Sequence, residues 1–255
     1  MKTIGLVAAM RQESLALLHL VEEVKWIKLG SFQAYHFELP NWDCLLIESG
    51  MGVARAEQAT RVLIDKVQPT MLVSFGIAGA VEDDLNIGDV VAANGNSLLR
   101  NGKLEKIRKL ASLTKPAKEA VLKALTSEEA RLFSGTAITT RGSQFIQQQH
   151  KPLNHPVLEM ETTGILQGIE GKKIPLLVLR SIGDGPRFPI PFALEAMVDE
   201  NYNMRMGKIL LTILKHPSIL AQALKMNSNS QLAAKNVAVA VVAALELPTP
   251  IQSSK

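Results

Sequence analysis

A series of short apolar runs, each closed by a polar or glycine-rich stop and separated by helix-like stretches, most constrains how this chain can fold. Residues 4–9, 43–48, 71–75 and 176–179 are such runs. All are far shorter than the roughly 20 apolar residues that cross a bilayer. They are apolar at consecutive rather than alternate positions, as in a strand covered on both faces. Between them lie stretches with a period near 3.6. One is residues 13–23, through Leu15, Leu18 and Val21. The other is residues 54–67, through Ala56, Ala59, Val62, Leu63 and Lys66, with Pro69 as its stop. Residues 25–29 and 34–39 read as short strands. Elements in this order predict an α/β fold: a central mixed β-sheet flanked by helices in three α/β/α layers.

No linker divides the 255 residues, so residues 1–247 are expected to form one domain and residues 248–255 a frayed tail. Residues 98–131 are basic and weakly patterned, and predict a loop and one helix at residues 115–127. Residues 205–226 combine apolar and basic positions, with Pro217 placed to open a second helix. Residues 231–247, rich in Ala and Val, predict a helix buried on one side.

Charge and cysteine usage narrow the function classes. A formal net charge of +4 favours anionic partners mildly, but falls well short of a dedicated nucleic-acid binder. The single cysteine, Cys44, excludes an intrachain disulfide and reads as a small buried apolar residue in a strand. A reducing, cytoplasmic setting follows as the simplest expectation. The first apolar run is short and meets Arg11-Gln12-Glu13 at once, unlike a secretory signal. The histidines, His19, His36, His150, His155 and His216, are scattered, so no metal and no cofactor is expected. Fingerprints for dinucleotides, P-loops, zinc proteases and serine hydrolases are absent.

The chemistry gathers at two places. Glu159-Met160-Glu161 follows the apolar pair Val157-Leu158, and nineteen residues after Glu161 comes Arg180-Ser181-Ile182-Gly183-Asp184. In α/β sheets, ligands bind just outside the carboxyl ends of the strands. Glu161 and Asp184 at two such ends suit a site that holds a polyhydroxylated substrate and gives it a proton. Ser49-Gly50-Met51-Gly52 and Gly76-Ile77-Ala78-Gly79 read as tight turns that let the backbone approach a ligand. Taken singly, each residue has a plainer reading. Glu161 would be the first acidic residue of a helix at residues 162–169, Arg180 and Asp184 a surface ion pair, and Phe145 and Ile146 core.

The ordered set of motifs resembles the nucleoside phosphorylase and nucleosidase superfamily, above all its methylthioadenosine/adenosylhomocysteine nucleosidase branch. The matching stretches are residues 5–13, 49–54, 73–79, 85–91, 144–146, 159–161 and 180–184. The resemblance implies that Glu161 binds the ribose hydroxyls and Met160 packs on the sugar. It also implies that Asp184 protonates the purine at N7, Glu13 orients an attacking water, and Arg180 steadies Glu13 or Asp184. Phe145 and Ile146 would line the base pocket, Gly76 and Ile77 the turn facing the anion or water site, and Phe188 the 5′ side. Two departures stand out: Ile77 replaces a residue that is usually serine, and Gly183 one that is usually serine or a similar polar residue. Ile77 removes a hydroxyl that would grip phosphate, leaving Arg11 or Arg55 as its candidate ligands. A smaller branch, the hopanoid-associated phosphorylase-like proteins, is similar at residues 49–56, 74–91 and 207–233. That likeness implies a lipid-linked adenine nucleoside. The expected partners are thus a nucleoside, phosphate if the reaction is phosphorolytic, and a second copy of the chain in a homodimer; transient membrane contact through residues 205–225 is an alternative to the plainer reading of a helix that packs its apolar face on the domain. A non-catalytic nucleoside-binding protein is the competing reading, and the proton donor at Asp184 argues against it.

Overall fold

The computed structural model describes residues 1–126, 129–140, 153–187 and 218–252, with side chains in the last stretch from residue 225 onward. The strands are β1 (Lys2–Ala8), β2 (Lys25–Leu29), β3 (Phe32–Leu39), β4 (Trp42–Glu48), β5 (Met71–Ala80), β6 (Val90–Arg100), β7 (Lys103–Leu104), β8 (Arg108–Lys109), β9 (Ser112–Leu113), β10 (Leu132–Thr139), β11 (Pro156–Glu159), β12 (Leu176–Asp184) and β13 (Ile251–Gln252). The helices are α1 (Arg11–Leu18), α2 (Val53–Val67), α3 (Lys115–Thr126), α4 (Thr162–Gly168) and α5 (Ser218–Leu245).

The consecutive apolar runs form the middle of one mixed sheet, in the order β11-β10-β6-β12-β5-β1-β4-β3-β2. The ladders β4–β1, β1–β5 and β5–β12 are parallel, so all four strands present their carboxyl ends on one side. β11 also pairs antiparallel with β5, through Val157–Ala80 and Leu158–Gly79. That pairing closes β5, β12, β6, β10 and β11 into a ring at one end of the sheet, a refinement of the simple layer expected from the sequence. Helices cover both faces. Leu17 of α1, Ala117, Val121 and Leu125 of α3, and Val237, Val241 and Ala244 of α5 share one buried cluster. Ala56, Ala59 and Leu63 of α2 and Ile165 and Leu166 of α4 share another.

Several expectations need correction. The helix expected at residues 13–23 is α1, which ends at Leu18; its buried positions are Glu13, Ser14 and Leu17 rather than the Leu15, Leu18, Val21 stripe. A site residue, not the apolar period, sets the inward face. Gly76-Ile77-Ala78-Gly79 is not a turn: β5 runs through it to Ala80. The glycines are there for space. A Cβ on Gly76 would stand 2.5 Å from a Glu13 carboxylate oxygen, and one on Gly79 would stand 2.6 Å from an Asp184 oxygen. β12 likewise extends past the apolar run to include Arg180 and Asp184, and a register shift between Ile182 and Asp184 sets Asp184 opposite Gly79. The basic stretch after residue 98 holds β7, β8 and β9 besides its helix. A helix does open after Pro217, but it runs from Ser218 to Leu245 without a break and so merges with the one expected at residues 231–247; residues 205–217 lie outside the described residues. The tail is tied down, since Ile251 and Gln252 pair with Leu113 and Ser112.

Candidate active site

Glu13 reaches the site because β1 ends at Ala8 and α1 starts directly after Met10. From the first turn of α1 its carboxylate folds back over the helix start. Oε2 accepts the amides of Ala9 and Met10, each at 2.9 Å, and Oε1 accepts the amide of Ile77 at 2.9 Å. Three backbone donors fix the group. Burial raises its proton affinity above the ordinary carboxylate range, outweighing those amides and the nearby charge of Arg180.

Glu161 comes from the opposite side. Positive φ at Gly50 and Gly52, 75° and 95°, turns the chain sharply between β4 and α2. The Gly52 amide, freed at the start of α2, donates to Glu161 Oε1 at 2.9 Å, and the Met160 amide donates to Oε2 at 3.2 Å. Burial of the carboxyl and then the charge of Glu159 push Glu161 up to about 8, against the pull of Arg180 and the Gly52 amide. Glu161 stands at the N-cap position of α4, as the plainer reading had it, but its side chain makes no cap hydrogen bond there and accepts from Gly52 and Met160 instead.

Arg180 is 2% exposed; it hydrogen-bonds neither Glu13 nor Asp184, but its charge favours the ionised form of Glu13. Its Nη2 donates to Glu159 Oε2 at 2.9 Å and to Ser74 Oγ at 2.9 Å. Nor is it a surface ion pair. Its partner Glu159 was visible only as the first carboxylate of Glu159-Met160-Glu161. Burial alone would raise Glu159. The facing Arg180 and the hydrogen bonds from Thr139, Arg180 and Thr162 hold it below the usual range.

Asp184, at the end of β12, differs from the others. No described residue donates a hydrogen bond to its carboxyl, and burial alone pushes it up to about 6. It lies over Gly79, as Glu13 lies over Gly76. The two glycines are three positions apart along β5, about 10 Å, and Asp184 is not in the lining that Glu13 and Glu161 share.

Glu13, Glu161 and Arg180 line one pocket with Val7, Ser74, Gly76 and Ile77. Met160 is half-buried beside it. Of the other expected residues, Phe145, Ile146 and Phe188 lie outside the described residues, as do most of residues 205–224. The two departures prove to be coupled, because a Cβ on Gly183 would stand 2.5 Å from Ile77 Cγ2. The larger side chain at 77 occupies the room that a side chain at 183 would need. Arg11 and Arg55, the candidate phosphate ligands, do not line this pocket. Arg11 reaches Gln33 and Arg55 reaches the Ser49 carbonyl. Among the described residues, no three His, Cys, Asp or Glu side chains gather as a metal site, and no helix is long and apolar enough to cross a membrane.

Residues 3–215 match the family model of the phosphorylase superfamily. The chain belongs to the phosphorylase superfamily. A superfamily relative, the 5′-methylthioadenosine/S-adenosylhomocysteine nucleosidase of Staphylococcus aureus, is 24% identical over 213 residues, covering 77% of this chain and 92% of its own. Two solved structures share the superfamily fold at low identity. The nucleosidase of the same name from Neisseria meningitidis, in complex with methylthio-immucillin-A, aligns with a TM-score of 0.69 at 21% identity, over 96% of this chain and 99% of its own. Futalosine hydrolase from Helicobacter pylori aligns with a TM-score of 0.66 at 17% identity, over 96% and 98%.

Proposed function

We propose that this protein cleaves the N-glycosidic bond of an adenine nucleoside modified at the 5′ position, releasing adenine, with water as the nucleophile. The observation that carries the reading is the convergence of Glu13 and Glu161 on one pocket, with Asp184 of β12 over Gly79, three positions further along β5 than the Gly76 that lies under Glu13. Glu161 offers acceptor capacity to the ribose hydroxyls. A carboxyl pushed up to about 8 binds a diol either as acceptor or, while protonated, as donor and acceptor. Asp184, raised to about 6, carries a proton into the range where an acid must act and gives it to the departing purine. Glu13, fixed by three amides and made more basic by burial, orients water and takes its proton.

Water is favoured over phosphate on electrostatic grounds. The pocket already holds the carboxyls of Glu13 and Glu161, and its cation, Arg180, is committed to Glu159. The Ile77 amide, which would face an anion, is taken by Glu13. The Ile77 side chain adds an apolar wall where a hydroxyl would grip phosphate. For the 5′ group we propose a hydrocarbon, as in adenosylhopane; the sequence likeness to the hopanoid-associated branch supports it. Adenine release from a panel of 5′-modified adenosines, with and without phosphate, tests all of this. Release without phosphate supports hydrolysis, release only with phosphate makes the protein a phosphorylase, and adenine binding with no release from any member of the panel leaves a nucleoside-binding protein. Preference for the methylthio member over a long hydrocarbon would reject the lipid substrate.

A further inference from the structure

Two carboxylates two residues apart, Glu159 and Glu161, point to different jobs. Glu159 is saturated. Its Oε2 accepts the amides of Glu161 at 3.1 Å and Thr162 at 2.8 Å, the Thr162 hydroxyl at 2.8 Å and Arg180 Nη2 at 2.9 Å. Its Oε1 accepts the Thr139 hydroxyl at 2.5 Å. Thr139 has one proton to give and gives it here. Its remaining capacity is filled as acceptor, from Asn96 Nδ2 at 2.8 Å and the Thr163 amide at 3.1 Å. Every hydrogen around Glu159 is thus accounted for with the carboxylate ionised, and protonating it would break a bond. Glu161, by contrast, takes two backbone donors and keeps open acceptor sites on the pocket side.

We propose that Glu159 is the positioning residue of this site: held from behind by Arg180, it fixes the turn that carries Glu161 and so aims the Glu161 carboxyl at the ribose edge of the pocket. The argument is one of reach. The Glu161 amide and the first amide of α4 are both tied to one buried oxygen, so the Glu161 backbone cannot rotate without breaking bonds to a charge. Arg180 secures that oxygen across the sheet, from β12. The same arrangement sets the electrostatics. Glu161 faces the negative Glu159 of its own turn, Arg180 of β12, Glu13 of α1 and the Gly52 amide of α2, and the like charge of Glu159 outweighs the pull of Arg180. The proposal rests on Glu161 as the ribose ligand.

The test is Glu159→Gln, read in two ways. In a carbon-13 carboxyl titration of the free protein, with the Glu161 signal assigned through Glu161→Gln, the Glu161 midpoint should fall by about one pH unit or more. The variant removes a like charge and leaves Arg180 unshared, and both changes favour the ionised form. Adenosine binding should fall at least about tenfold while adenine binding stays within about twofold, because only the riboside uses Glu161. An unmoved midpoint, or equal losses for adenosine and adenine, would overturn the proposal and leave Glu159 as a structural ion pair. Should the variant fail to fold around an unpaired Arg180, the charge-neutral double variant Glu159→Gln, Arg180→Met replaces it. The proposal again requires a loss selective for adenosine, and parallel losses reject it. Wild-type protein that binds adenine but releases none from any nucleoside would defeat the catalytic reading, whereas the midpoint shift reads the influence of Glu159 independently of turnover.

Discussion

Glu161 and Asp184 both stand where strands of the sheet end, but their surroundings differ in kind. Glu161 sits among charges and donors: Glu159 behind it, Arg180 and Glu13 beside it, and two amides on its oxygens. Asp184 has burial and little else. A group that must grip two hydroxyls needs fixed geometry, which hydrogen bonds supply. A group that must part with a proton needs the proton present and weakly held, which desolvation without a partner supplies. If that contrast is functional, the two carboxylates should fail differently when changed.

The largest effect is expected at Asp184. Asp184→Asn keeps the shape and loses the acid, so turnover should fall about a hundredfold or more while adenine binding survives. In the wild type, kcat/KM should decline as pH rises through about 6, and the variant should lack that limb. Near-wild-type turnover would remove Asp184 from the mechanism. Stability should move the other way. The folded group binds its proton more tightly than an unfolded aspartate, whose ordinary value is 3.8. Its contribution is full below that value and is lost as pH rises through about 6. Asparagine does not ionise, so above pH 6 the variant should gain stability on the order of 2–3 kcal/mol, several degrees in Tm for a chain of this length. The gain should vanish near pH 4. Calorimetry at pH 4 and pH 8 checks this, and a loss of stability at pH 8 would mean that Asp184 has a stabilising partner after all.

At Glu161 the expected effect is smaller and falls on binding. Glu161→Gln should weaken ribosides by about tenfold to a hundredfold, the worth of a hydrogen bond to a charged group, and leave adenine nearly untouched. Calorimetric titration with both ligands separates the cases. Equal weakening of both would cancel the difference drawn between this carboxyl and Asp184.

How much of this contrast could be read from the chain depends on the distance between the residues involved. Glu159, Glu161 and Asp184 were visible as carboxylates after apolar runs, because that signal is local. So were α2, whose buried Ala56, Ala59 and Leu63 lie on one helical stripe, and the central strands. What escaped was set by residues far apart in sequence. Gly76 and Gly79 look like a turn until Glu13 and Asp184 are seen to occupy the space above them. Arg180 looks like a partner for Asp184, four residues on, until β11 brings Glu159 against it. Ile77 and Gly183 look like two unrelated departures until parallel pairing of β5 with β12 makes them neighbours. The inward face of α1 had the same origin. It is set by where Glu13 must reach, 64 residues away at the Ile77 amide, and no apolar period reports that.

Those glycines should affect stability rather than chemistry, with the smallest effect of all at Gly79, and they test rigidity directly. Gly76→Ala places a methyl 2.5 Å from Glu13 Oε1, and Gly79→Ala places one 2.6 Å from Asp184 Oδ1. The two intrusions are almost equal in distance, so any difference between them measures how far each carboxylate can yield. Glu13 cannot move without stretching bonds to the amides of Ala9, Met10 and Ile77. Gly76→Ala should therefore cost about 1–3 kcal/mol, the usual range for overpacking. No described residue bonds the Asp184 carboxyl, which can swing aside, so Gly79→Ala should cost less than Gly76→Ala. Denaturant unfolding of both variants settles the order. Equal costs would show that Asp184 is held as firmly as Glu13, and a loose, desolvated acid could then no longer explain the difference between the carboxylates.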